Sequence, residues 1–306
     1  MAASDTRDSV SDSPTARLPE APRKRDAEEW ALVLVAEGFE PKVLHEDGRW
    51  RVEVEPGRES QAVEIIAAWR RERTERAQRR ALPPAPMTTP IEVAAAYVFA
   101  TGLLAFHLGL DVSDRHALFV AAGKSQAALV LFGEGWRAIT ALCLHADLPH
   151  AVGNTLFGGF FLAALAGRLG VGCGVLAFLV SGSLGNLANA LYYGHGHSSI
   201  GASTGVFGLV GVLAGLAAWE RHRTAPPGRG AWVAFGAGLA IVAMLGSGGP
   251  KVDFSAHLFG LAAGGLTGLV IALPVARHPK PGHAAQILAL VVTGAVVATS
   301  WLRALA

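Results

Sequence analysis

Two hydrophobic patterns divide the chain. Up to about residue 90 the apolar positions are scattered or periodic in a polar background; beyond it they run in long blocks. About 20 consecutive apolar residues cross a bilayer as a helix, and blocks of roughly that length fall at 91–110, 149–167, 171–191, 201–219, 231–247, 254–273 and 284–302. Seven spans are therefore predicted, the fifth being the shortest. Backbone polar groups in lipid must bond within the protein, so an all-α helical bundle is the expected architecture.

The polar third has a finer pattern. Trp30, Leu32, Val33, Leu34 and Val35 predict a short helix from Glu28 to about Phe39, ending at Gly38. The runs Lys42–His45 and Trp50–Val54 flank Glu46-Asp47-Gly48-Arg49, and Asp-Gly between alternating runs favours a hairpin. Ala62, Ile65, Ile66 and Trp69 line one face of a second helix that continues into an arginine run. The expected organisation is a disordered tail over 1–26, a small α-β-β-α cytoplasmic domain over 27–80 and a Pro-rich linker over 81–90. A membrane domain over 91–306 follows. The small domain reads either as a regulatory or docking module with a cytoplasmic partner or as a folded spacer.

Composition sharpens this division. Residues 1–90 hold 32 of the 50 charged side chains, and the 216 residues that follow hold 18. The 37 glycines and the abundant alanines suit close helix contacts in lipid. Lys and Arg near span ends set orientation. Arg70, Arg71, Arg73, Arg76, Arg79 and Arg80 precede the first span, Arg168 follows the second, Arg221, Arg223 and Arg229 follow the fourth, and Arg277 and Lys280 follow the sixth. All these loops would share one side with the N-terminus, predicted cytoplasmic, and the C-terminus would lie outside.

Residues 1–26 have no apolar core of the signal-peptide kind, and their acidic residues argue against a transit peptide. Cys143 in the long first loop and Cys173 near the cytoplasmic start of the third span cannot meet on this topology. No metal-binding Cys/His spacing is evident, and the net charge of +2 gives no sign of a nucleic-acid partner. Gly123-Lys124-Ser125 resembles the end of a phosphate loop, but the required earlier glycine is Leu118.

Three polar clusters interrupt the apolar blocks, and polar residues inside spans are functional candidates. They are His145 to Asn154, Gly201-Ala202-Ser203-Thr204-Gly205-Val206-Phe207-Gly208, and Ala256 to Gly264 around His257. On the predicted topology His150, Ser203 and His257 lie at the outer ends of their spans and share one depth. A serine needs an adjacent base to become a nucleophile, and imidazole titrates in the useful range. Gly201, Gly205 and Gly208 on one span, with Gly260 and Gly264 on the other, would let the two backbones approach. Phe207, one turn beyond Ser203, would pack on the imidazole. His150, Asn154 and the Ser203 backbone N–H are available oxyanion donors, each worth about 3–4 kcal/mol in a transition state.

Trp136-Arg137-Ala138-Ile139-Thr140, His145, His150 and Asn154 resemble the loop and second-span motifs of the rhomboid family. Gly201-Ala202-Ser203 resembles its nucleophile motif, and Ala256-His257-Leu258-Phe259-Gly260-Leu261-Ala262-Ala263-Gly264 its sixth-span motif. The resemblance covers about 91–275. It implies a six-helix core with a Ser203–His257 dyad opening outward, a membrane-inserted first loop supported by Arg137, and oxyanion donors at His150 and Asn154. It further implies an integral protein of the bacterial inner membrane, transmembrane protein substrates and no cofactor. The family usually has glycine after the nucleophile, where this chain has Thr204, whose side chain is expected beside the oxyanion pocket. The seventh span is an appended helix found in part of the family. Asp253, four residues before His257, reads as a solvated residue at the span end rather than a third catalytic member.

Three rival readings fit the residues less well. The soluble α/β-hydrolase elbow shares the Gly-x-Ser-x-Gly spacing of Gly201 to Gly205 but needs a strand before it, and membrane-length blocks surround it here. A transporter or channel leaves the match of nucleophile, base and donors unexplained. A catalytically inactive rhomboid-like protein that binds transmembrane helices would be expected to lack Ser203 or His257, and both are present.

Overall fold

A computed structural model describes residues 18–80, 87–224, 233, 236–241, 253–277 and 280–306. The chain divides into two compact units, Met1–Pro84 and Ala85–Ala306.

In the first unit, α1 (Lys24–Ala36) is followed by β1 (Lys42–Glu46), β2 (Arg49–Glu53) and α2 (Glu59–Arg80). The strands pair antiparallel with Val43 opposite Val52. Asp47 and Gly48, both at positive φ (51° and 77°), make the tight turn between them, the conformation that favours Asp-Gly in a two-residue hairpin loop. Trp30, Leu34, Phe39, Val52, Ala62 and Ile66 form a core of their own. Structure begins ahead of the predicted boundary at residue 27: the Ala21 N–H donates to the Trp50 carbonyl at 2.8 Å, adding an edge bridge to β2, and α1 already begins at Lys24. Residues 1–17 and most of the predicted linker lie outside the described residues.

The second unit is helical. Six described helices are long and apolar enough to cross a membrane. They are α3 (Pro90–Val112), α7 (Leu148–Leu169), α8 (Val171–Tyr193), α9 (Ser203–Thr224), α10 (Phe254–Arg277) and α11 (His283–Leu305). The predicted fifth span, 231–247, falls largely outside the described residues. Its described part, 233 and 236–241, is helical, and Gly238 there faces Leu261, Val210 and Ala214. Phe161, Leu162, Leu165, Val175, Phe178, Val206, Leu209 and Val212 fill the core between α7, α8 and α9.

The loop before α7 is folded rather than extended. It comprises α4 (His116–Gly123), β3 (Ser125–Gln126), α5 (Ala127–Leu131), α6 (Arg137–Thr140) and a 3-10 turn over Ala141–Cys143. β3 pairs antiparallel with β4 (Ser198–Ser199), which ties this loop to the one preceding α9. Arg137, almost fully buried, donates to Glu134 Oε2 at 2.6 Å and to the carbonyls of Ala121 and Lys124, each at 3.3 Å. Such a planar donor fork gathers separate turns of chain into one body. Asn186 of α8 adds a tether, donating to the Ala138 carbonyl at 2.9 Å.

The appended helix α11 makes two kinds of contact. Near its start, Gln286 accepts from the Cys173 N–H at 3.0 Å and donates to the Leu169 carbonyl at 2.7 Å. These are orphan groups of adjoining helix ends, the kind that capping must satisfy. Near its finish, Trp301 packs on Phe106, Phe119 and Gly123. Cys143 and Cys173 are free thiols.

Candidate active site

Ser203 is the first residue of α9. The predicted span began at 201, but Gly201 has φ +138° and keeps the chain out of the helix for two more residues. This is the left-handed half of conformational space that glycine tolerates. Its N–H donates to the Ala141 carbonyl at 3.0 Å, so the turn is anchored to the 3-10 segment. A Cβ at this position would also lie 2.8 Å from His150 Cε1 and 3.3 Å from Ser203 Oγ. Only glycine leaves room here for the imidazole of His150.

His257 enters from α10. Its Nε2 lies 2.8 Å from Ser203 Oγ, within hydrogen-bond distance, and the residue is 7% exposed. The Phe207 ring packs on the imidazole with centroids 4.5 Å apart. The close approach of the two helices comes from interleaved glycines. A Cβ on Gly260 would collide with the Thr204 carbonyl, one on Gly264 with the Gly208 carbonyl, and one on Gly268 with the Val212 carbonyl. From the other side, Gly211 faces Leu261 and Gly215 faces Gly265.

His150 and Asn154 lie one turn apart on α7. Asp147 caps that helix by accepting the His150 N–H at 2.9 Å, with Pro149 in the first turn, where its missing N–H costs nothing. The Asn154 Nδ2 is buried without a hydrogen-bond partner among the described residues. An unspent amide donor is what an arriving anionic oxygen would need. The His145 ring stands edge-on to His150 at 5.3 Å between centroids. Burial, then the neighbouring imidazoles of His150 and His107, pushes the pKa of His145 down to about 3, so it is neutral at physiological pH.

Two residues sit otherwise than the sequence reading expected. Thr204 was anticipated beside the oxyanion pocket; it is 2% exposed, and its methyl group packs toward Gly185 of α8. The glycine there makes room for the extra side chain. Asp253 is not a solvated end residue: its side chain is 16% exposed and heavily bonded. It accepts from His197 Nε2 at 2.7 Å, Asn189 Nδ2 at 2.9 Å, Ser255 Oγ at 2.8 Å and the Ala256 N–H at 3.1 Å. Burial alone would raise its pKa, but the hydrogen bonds from His197, the Ala256 N–H and Ser255 outweigh it and hold the carboxyl below the usual range. Asp253 thus caps α10 just ahead of His257 and ties it to α8 and to the loop before α9. His197, stacked on Tyr193 at 3.9 Å, had no periodic signal in the sequence to mark it.

The fold and this site define a polytopic helical membrane protein with a Ser–His pair at the head of two glycine-locked spans. Residues 132–274 match the Rhomboid domain model. Over this region the chain is similar to the rhomboid family, and its six long apolar helices make it an integral membrane protein. The "Putative rhomboid protease YdcA" of Bacillus subtilis is 29% identical over 132 residues, 43% of this chain and 65% of that protein. The rhomboid protease GluP of the same organism is 28% identical over 171 residues, 54% of this chain and 31% of that protein. Inactive rhomboid protein 1 of Drosophila melanogaster is 32% identical over 84 residues, 28% of this chain and 6% of that protein. The chain spans less than two thirds of the length of each of these relatives. Proteases and an inactive protein are both among these relatives by name, so the similarity alone leaves a protease and an inactive rhomboid-like protein as the two functional classes.

Proposed function

We propose that the chain is an intramembrane serine endopeptidase that cleaves transmembrane segments of membrane proteins. The observation that carries this reading is the 2.8 Å contact between Ser203 Oγ and His257 Nε2. In the proposed reaction His257 Nε2 takes the Ser203 hydroxyl proton as Oγ bonds to the substrate carbonyl carbon. The carbonyl π electrons move to oxygen, and His150, Asn154 and the Ser203 N–H donate to that oxyanion. The oxyanion collapses, the C–N bond breaks, and His257 returns its proton to the leaving amine. Water, deprotonated by the same imidazole, then attacks the ester and releases Ser203.

Gly201, Gly260 and Gly264 set the backbone distances this chemistry needs, Phe207 limits rotation of the imidazole, and Arg137 holds together the loop whose Ala141 carbonyl anchors Gly201. The inactive rhomboid-like reading, in which the protein binds transmembrane helices without cutting them, gives the serine–imidazole contact no task. The arginine distribution favours a cytoplasmic N-terminus and a site opening to the outer side of a bacterial inner (plasma) membrane. The N-terminal unit is then a cytoplasmic module with its own core.

The test is cleavage of a transmembrane reporter in liposomes by the purified chain. Wild type should cut it, and Ser203→Ala and His257→Ala should each reduce cutting to background while eluting as folded protein. Undiminished cutting by Ser203→Ala would overturn the reading.

A further inference from the structure

His107, Asp111 and His116 take no part in the proposed proteolysis, yet they converge at the outer end of α3. His107 and Asp111 stand four residues apart on that helix, on one face. His116 opens α4 after the turn at Ser113 and Asp114. One ligating atom from each of the three lies within 4.8 Å of the others. His107 Nε2 is 3.4 Å from Asp111 Oδ2, and His116 Nδ1 is 4.0 Å from Asp111 Oδ1. Bonds of about 2.0–2.1 Å to a tetrahedral ion place neighbouring ligand atoms roughly 3.3 Å apart, so the cluster is close to that geometry and closes with small rotamer movements.

Two further observations point to a ligand. His107 is 2% exposed, and neither of its ring nitrogens has a hydrogen-bond partner among the described residues. A buried imidazole without partners is costly, and a metal bond to Nε2 would offset that cost. His116 has the opposite half of the pattern. Its Nε2 lies 2.8 Å from the His145 main-chain carbonyl, which can only accept, so Nε2 carries the proton and the Nδ1 lone pair faces Asp111. An imidazole that donates one N–H to a backbone carbonyl while offering the other nitrogen is the usual outer-shell arrangement of a metal-bound histidine. The Asp111 side chain is 47% exposed, which leaves an entry path and a position for water.

We propose that His107, Asp111 and His116 form a site for a divalent transition-metal ion of the zinc class, with two imidazoles, one carboxylate and water as ligands. The ion clamps the end of α3 to the start of the folded loop, and through His116 it fixes the His145 carbonyl. His145 in turn packs on His150, so the clamp steadies the loop that borders the Ser203 site without entering the reaction. The site is independent of the proteolytic reading, because it uses none of the residues assigned to that reaction.

The test is zinc titration of the full-length, detergent-solubilised chain lacking any polyhistidine tag, followed by calorimetry and by competition with a chromophoric chelator. Cobalt serves as a second probe through its visible absorption. The expected result is one tight site per chain, with affinity reduced at least tenfold in Asp111→Asn and in His116→Gln and unchanged in His283→Ala. Both weakened variants alter accessible side chains, and elution as a single species checks their folding. His107→Gln, at the buried position, should also lose the cobalt spectrum. Absence of a stoichiometric site in wild type, or equal affinity in wild type and Asp111→Asn, would overturn the proposal and leave the cluster as an ion pair.

Discussion

Gly260 on α10 meets the main-chain carbonyl of Thr204 on α9 with no room between them for a methyl group. That contact lies one residue beyond Ser203 and three beyond His257, so it sets the spacing of the pair more directly than any side-chain packing does. Gly260→Ala should separate the two helices and cost about 1–3 kcal/mol from overpacking, or more where backbone must move. Thermal unfolding in detergent should show the loss, with reporter cleavage falling further than stability does. Gly294→Ala is the control: among the described residues nothing lies within 4 Å of a methyl group at that position on α11, so it should be neutral or slightly stabilising.

Most of this architecture was legible in the sequence because each part depends on a local rule. Membrane-length blocks gave the helices, Asp47-Gly48 gave the hairpin turn, and the small residues around Ser203 and His257 pointed to a close crossing. The exceptions depend on contacts between distant segments. Asp253 looked solvated because its partners His197 and Asn189 lie 56 and 64 residues away. Thr204 was placed near the pocket because a one-dimensional motif does not show that Gly185 of α8 makes room for it. The short helices inside the first loop were not legible because Arg137 and Asn186 organise it largely through carbonyls, which leave no periodic trace.

Removal of the appended helix's polar anchor should be measurable. Gln286→Ala leaves the Cys173 N–H and the Leu169 carbonyl without their partner, at a cost of about 1–3 kcal/mol. The unfolding midpoint should drop, while cleavage at low temperature should stay near wild type, because Gln286 sits at the opposite ends of α7 and α8 from the site.

Asp253 should give an acid-dependent component of stability. Its folded pKa lies below the ordinary value of 3.8, so the folded state holds fewer protons than the unfolded one as pH approaches that range. The stabilisation is therefore present above pH 3.8 and is lost as pH falls through the lowered folded value. Asp253→Asn should be less stable than wild type at neutral pH, with a flatter acid limb in unfolding midpoints taken against pH. Asp253→Ala should cost about 1 kcal/mol more through loss of the helix cap.

Asn154→Ala should lower turnover on the order of 10²-fold, the usual effect of deleting one oxyanion donor. Residual cleavage should persist because His150 and the Ser203 N–H remain, and KM should change little. Equal turnover in wild type and variant would remove Asn154 from the donor set.

The central claim is that His257 makes Ser203 a nucleophile, and covalent labelling tests it most directly. A fluorophosphonate probe, followed by mass spectrometry of the modified peptide, should mark Ser203 in the wild-type chain at one site. His257→Ala should abolish that labelling in folded protein. Labelling at wild-type rate in His257→Ala, or modification of a different serine in the active enzyme, would contradict the account.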